Sequence, residues 1–121
     1  MAHGDYKKIM DGVYMKPVHC SQELAATEAL LEKGARVPAH SHPSTQVTIV
    51  LRGRLLLRAG GQELVLEAGG YTVIPPGVPH EAEALEETVV LDINAPLTGD
   101  RVELMEKLGA ECPKPKDATQ T

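Results

Sequence analysis

The chain has no phenylalanine and no tryptophan, and its rings beyond histidine are Tyr6, Tyr14 and Tyr71. A core built without large rings must be filled by branched aliphatics, which suit a tightly packed barrel interior. Positive charge is also short, since 12 Lys and Arg stand against 17 Asp and Glu for a formal charge of −5. Neutralising phosphates takes a basic patch, so no nucleic-acid partner is expected. No apolar run approaches a membrane span, and Met1 to Met10 lacks the apolar region of a signal peptide. No membrane partner is therefore expected, and the expected location is cytoplasmic. Cysteine occurs only as Cys20 and Cys112, far apart and without a C-x-x-C pattern. Two reduced thiols are expected rather than a disulfide.

What is present is a run of short strands punctuated by glycine and proline. A length of 121 residues fits one domain. Strands are expected at 12–18, Thr27 to Glu32, Val47 to Leu51, Arg54 to Arg58, Gln62 to Glu67, Tyr71 to Ile74 and Thr88 to Asn94. Residues 23–33 have a helix-favouring composition, yet their place before the next motif argues for a strand. Gly60-Gly61 reads as a hairpin turn. Pro75 to Pro79 cannot be a central strand and reads as a rigid loop that delivers His80. Asp100 followed by Glu103 resembles a capping box. Val102, Met105 and Leu108 recur at helical spacing, so Arg101 to Leu108 is expected as a short helix ended by Gly109. The expected layout is an N-terminal segment 1–11, a barrel 12–96, a helical segment 97–112 and a disordered tail 113–121. Arg52, Arg54 and Arg58, like Glu81, Glu83, Glu86 and Glu87, read as solvated positions.

The chemistry concentrates in His40, His42, Gln46 and His80. In strand register the first three share one side, together with Ser44, Thr48 and Val50. His80 must arrive from a neighbouring strand. Imidazole nitrogens and an amide oxygen converging in this way suit one borderline divalent ion: Zn, Ni, Fe, Mn or Co. In 88–94, Val89, Leu91 and Ile93 form an aliphatic face, and Asp92 and Asn94 take the other. If that face lines a cavity, Asp92 is a candidate catalytic acid or base; if it lies on a solvated edge, Asp92 has no such role.

These residues resemble the cupin superfamily. Gly34, His40, His42, Gln46 and Gly53 fall at the spacings of its first motif, with Gln in place of the usual Glu. Gly69, Pro75, Gly77 and His80 match the second, with Ala84 where Asn is usual. The resemblance implies an all-β, single-domain cupin β-barrel (double-stranded β-helix, or jelly roll) with a short C-terminal helix. It also implies a metal held by His40, His42, Gln46 and His80.

GARVPAHSHPSTQ, IPPGVPH and VVLDINAP further resemble the small cupins that linearise unsaturated uronates. That resemblance implies a proton-moving role for Asp92. Asn94 stands in the place of that family's aromatic, Thr98 stands about where its arginine is expected, and Arg101 is near but not aligned. The expected function is a metal-dependent lyase or isomerase acting on a small oxygen-rich molecule such as a sugar acid. The alternatives are an oxygen-dependent dioxygenase and a non-catalytic small-ligand-binding cupin. A homodimer is the expected assembly.

Overall fold

The computed structural model describes residues 5–116. Among them ten strands precede one helix. They are β1 (Lys7–Met10), β2 (Val13–Cys20), β3 (Ala25–Leu31), β4 (Arg36–His40), β5 (Thr45–Arg52), β6 (Arg54–Ala59), β7 (Gln62–Glu67), β8 (Tyr71–Ile74), β9 (His80–Ala84), β10 (Thr88–Ala95) and α1 (Gly99–Lys107). The strands form a six-stranded sheet ordered β1-β2-β3-β10-β5-β8 and a four-stranded sheet ordered β4-β9-β6-β7. Every pairing is antiparallel. This is the jelly-roll barrel that the cupin resemblance implied. The helix-favouring stretch is indeed a strand: Ala25–Leu31 sits between β2 and β10 and buries six of its seven residues. Burial on both faces overrides its weak helical propensity.

The inward faces change chemistry along the barrel axis. One cross-strand row carries Met15, Ala29, Val90 and Val50. The next carries Thr27, Asp92, Thr48 and Thr72, and the one after it Ala25, Asn94 and Gln46. The opposing sheet repeats the change, from Leu55–Ala84 and Leu57–Ala82 to Ala59–His80. The aliphatic end holds the main core, including Val13, Leu31, Val50, Leu55 and Val90. The polar end collects buried side chains, and Gln46, Thr48, Asp92, Asn94 and Ser44 hydrogen-bond one another there, while the Thr27 hydroxyl has no partner.

Four expectations are corrected. Lys7–Met10, placed outside the barrel, is an edge strand on β2, and the Tyr6 hydroxyl donates to the Glu28 carboxylate behind it. The helix begins two residues early, at Gly99, with Thr98 at its N-cap and no side-chain cap bond. Asp100 is not the cap of a capping box, because its carboxylate turns toward the barrel, where Thr98, His42 and Arg101 engage it. Gly109 ends the helix as expected, in the left-handed region with φ 90°. Cys20 and Cys112 are not free thiols but a disulfide across 92 residues, with Cα atoms 5.4 Å apart. The fold brings them together where Ala25, Leu97 and Met105 form a second small core. Residues 113–116 of the expected tail run beside the barrel, where the Gln22 amide donates to the Lys114 carbonyl at 3.2 Å. The rest of that tail lies outside the described residues. No helix among the described residues is long and apolar enough to cross a membrane.

A crosslink over so long a loop restricts the unfolded chain strongly. Cys20→Ser is expected to lower unfolding free energy by about 2–4 kcal/mol, read as a lower urea midpoint. Reductant should produce the same fall in wild type and none in the variant. A wild-type midpoint indifferent to reductant would count against the bond.

Candidate metal centre

His40 closes β4 in one sheet, and Gln46 is the second residue of β5 in the other. Residues 41–44 carry the chain across, so His40, His42 and Gln46 do not share one straight strand as register alone suggested. Inward alternation nevertheless survives the crossing: His42, Ser44, Gln46, Thr48 and Val50 are all buried. The proline loop is tied to the crossing by the Gly77 N–H, which donates to the His42 carbonyl at 2.7 Å. Gly77 has φ 77°, a conformation that favours glycine. The loop then starts β9 with His80 in register opposite His40. Gly53, the last residue of the first motif, has φ 93°, and a Cβ there would lie 2.3 Å from the Glu87 carbonyl oxygen. Only glycine permits so close an approach.

The three imidazoles form a triangle with ring centroids 4.4, 4.7 and 5.2 Å apart. One nitrogen of each lies within 4.8 Å of the others, the spacing of a group able to hold a metal ion. Each Nδ1 is occupied. His40 meets the Pro38 carbonyl at 2.8 Å, His80 the Val78 carbonyl at 3.0 Å, and His42 the Asp100 carboxylate at 3.1 Å. With an acceptor on each Nδ1–H, each Nε2 keeps its lone pair. His80 Nε2 is buried with no hydrogen-bond partner, as a nitrogen awaiting a cation would be. Burial, helped by the Arg101 and His40 charges, lowers the His42 pKa to about 4 against the opposing pull of Asp100. Burial also lowers that of His80. Neutral imidazole is the ligand form.

A chain of hydrogen bonds continues from these histidines. Asp100 is contacted by Arg101 Nε at 3.3 Å, and Arg101 NH1 reaches Asn94 Oδ1 at 3.5 Å. Asn94 donates to Ser44 at 3.1 Å and to Gln46 Oε1 at 3.3 Å. Gln46 donates to Thr48 at 3.0 Å, and Thr48 donates to Asp92 Oδ1 at 2.7 Å. A longer Gln46 contact, 3.4 Å, also reaches Oδ1. Burial raises the Asp92 pKa, opposed by the Thr48 bond and the Arg101 charge. Burial would also raise that of Asp100, but Thr98, Arg101 and His42 outweigh it and the net shift is downward.

His40, His42, Gln46, His80 and Asp92 all line one cavity of about 90 Å³, and Arg101 lines it too. Asp92 therefore faces the barrel interior, the first of its two sequence alternatives. The single-strand pattern missed Arg101, because the helix starts early and its first turn brings that side chain in. Thr98, at the position expected for an arginine, is occupied with Asp100 instead. The inward alternation of β5 and β10 was the available signal for Thr48 and Asn94.

A jelly-roll barrel with three histidines converging at one end of its interior defines a class of metal-binding β-barrels. The sequence profile of the cupin domain matches residues 27–94, more than half of the chain, and this chain belongs to the cupin family. No curated protein matches it. Among solved structures it is similar to KdgF from a Halomonas species, with 27% identity, a TM-score of 0.75, and coverage of 78% of this chain and 88% of that one. An RmlC-like cupin from Shewanella frigidimarina gives 27% identity and a TM-score of 0.75, covering 82% of this chain and 92% of that one. Salicylate 1,2-dioxygenase from Pseudaminobacter salicylatoxidans shares the fold at a TM-score of 0.70 and 17% identity, over 84% of this chain and 30% of that one.

Proton linkage tests the burial of His42. Its pKa falls from 6.5 to about 4 on folding, so between those pH values the unfolded chain binds the extra proton. Metal-free stability should therefore fall as pH drops through that window, by at most roughly 3 kcal/mol from this group. The fall should be larger in wild type than in His42→Gln, read from urea midpoints at pH 7 and pH 4.5. Equal acid sensitivity of the two would contradict the assignment.

Proposed function

We propose that this cupin is a divalent-metal-dependent lyase or isomerase acting on a small oxygen-rich acid. The observation that supports this reading best is the carboxylate of Asp92, lining the same cavity as the three histidines and Arg101 and held by the Thr48 hydroxyl. His40, His42 and His80, with the amide oxygen of Gln46, are the ligands this reading assigns to one Zn, Ni, Fe, Mn or Co ion. Such an ion, when bound, supplies Lewis acidity that polarises a substrate oxygen and acidifies the adjacent C–H. The neutral Gln46 leaves the ion's charge undiminished. Arg101, with a side chain 13% exposed, offers its guanidinium to a substrate carboxylate. Asp92 Oδ2 takes the proton from the carbon beside the carbonyl and returns the same proton to a neighbouring atom. Burial makes this carboxylate a stronger base than a solvated one. The Thr48 and Gln46 donors hold it in position through Oδ1.

Metal content by plasma mass spectrometry should give near one ion per chain, lost in His40→Ala/His42→Ala. Loaded wild type should catalyse exchange of the C3 protons of 2-oxobutanoate for deuterium under anaerobic conditions, followed by proton NMR. Asp92→Asn should keep the metal and lose the exchange by about 100-fold or more. Undiminished exchange in the variant would remove Asp92 from the mechanism. A strict need for oxygen would favour the dioxygenase reading.

We also propose that the chain pairs with a second copy of itself. The outer face of the six-stranded sheet aligns Leu91, Ile49 and Tyr71 in one row and Ile93, Val47 and Val73 in the next. Tyr71 and Val73 are 65% and 53% exposed on the edge strand β8. At ordinary strand spacing these six positions cover on the order of 200 Å² in projection. A stable interface takes roughly 800 Å² per partner, so this strip is its apolar centre and the residues around it supply the rest. The strip is bounded by Glu28 and Lys16, which continue the Leu91 row, and its six uncharged side chains are complementary to their own copy under a two-fold axis. Light scattering should give a dimer for wild type and a monomer for Val73→Lys. A wild-type monomer at tens of micromolar would refute the pairing.

A further inference from the structure

The polarity boundary inside the barrel bears on what the cavity can hold. At one end lie the histidines, Asp92 and Arg101, and the cavity does not stop there. It runs past the Asp92–Thr48 row to touch Val13, Met15, Leu31, Leu55 and Val90. These belong to, or pack against, the aliphatic core. At that end the one buried polar side chain of β10, Thr88, is already spent on the Arg54 and Glu86 carbonyls. The strand backbones around it are paired in their ladders. A ligand hydroxyl there would lose its water and gain no partner, which weakens binding by about tenfold or more. A methylene in the same place gains about fourfold.

From this we infer that the ligand is amphipathic. It is a small acid whose oxygen-bearing head meets the histidines and Arg101 and whose remainder is a short hydrocarbon chain or ring. A sugar acid hydroxylated along its whole length does not fit the inner end. The inference rests on the reading that this site takes a small acid, and it narrows that reading to a substrate class. Size sets the limit: the whole cavity, head region included, is about 90 Å³, so the chain beyond the head is only a few carbons long.

The test is calorimetric titration of the zinc-loaded protein with pyruvate, 2-oxobutanoate, 2-oxopentanoate and 2-oxohexanoate, beside galacturonate. Affinity should rise about fourfold per added carbon and level off once the inner end is full. Galacturonate should bind more weakly than the best 2-oxo acid by at least tenfold. Ala82→Leu, which fills the inner wall from β9, should leave pyruvate binding unchanged and erase the gain for the longer acids. Binding of the series with no dependence on chain length, or tightest binding of galacturonate, overturns this inference and leaves the proposed function standing. Failure of every acid to bind the loaded protein overturns both.

Discussion

The structure depends on one hydrogen-bonded chain that runs from His42 through Asp100, Arg101, Asn94, Gln46 and Thr48 to Asp92. Four of its six links join groups from different elements, while Asp100–Arg101 lies within α1 and Gln46–Thr48 within β5. Without the chain, that end would bury amides, a carboxylate and a guanidinium without partners, at a cost of several kcal/mol. With it, the same groups hold each side chain in one orientation. The orientation of His42 is the clearest consequence. Asp100 accepts its Nδ1 proton, so its Nε2 lone pair is available to the cavity. Asp92 is placed in the same way, with Oδ1 bonded to Thr48 and the residue lining the cavity.

The helix is therefore part of the site and not an appendage. Asp100 and Arg101 both lie in its first turn, and its docking decides where their side chains go. Two features anchor it. Met105 is fully buried against Ala25 and Leu97, and the Cys20–Cys112 disulfide closes the chain just beyond it. Cys20 pairs with Ala25 in the sheet, and Ala25 pairs with Asn94. The covalent anchor thus lies in the cross-strand row of a residue that Arg101 touches. A small barrel without large rings has a limited core, and a crosslink at the open end stabilises the part that core packing reaches least.

Much of this was legible in the sequence because it is local. Glycines at Gly53 and Gly77 mark places where the backbone needs a positive φ, and that need fixes the spacing around the ligands. Strand alternation put Thr48 with Gln46 and Asn94 with Asp92 on shared faces, and the burial pattern agrees. What was not legible depends on distance through space. Nothing near Cys20 or Cys112 in the chain indicates that a fold of paired strands brings their Cα atoms to 5.4 Å. Arg101 was misjudged because alignment along a strand cannot show that a helix starts at Gly99 and turns a long side chain inward. His42 illustrates the reverse error. Register treated it as part of one straight strand, whereas it sits in the crossing between two sheets and meets His40 and His80 of one sheet and Asp100 and Arg101 of the helix.

The division of the interior into an aliphatic and a polar end follows from the same economy of partners. Polar side chains are tolerated in a barrel only where enough of them meet, and here they meet within two adjacent cross-strand rows. Below those rows the facing residues are Val90, Val50, Ala29 and Leu55, for which the only favourable neighbour is another hydrocarbon surface. A cavity that spans both regions offers strong, directional contacts to the head of a ligand and only dispersion and water release to the rest. Selectivity in such a site has two independent sources. The histidines, Asp92 and Arg101 decide which functional group reacts, and the aliphatic rows decide what that group is attached to. Because the two sets sit on different rows, a substitution among the aliphatic residues can alter which acid is accepted while the polar chain keeps its geometry.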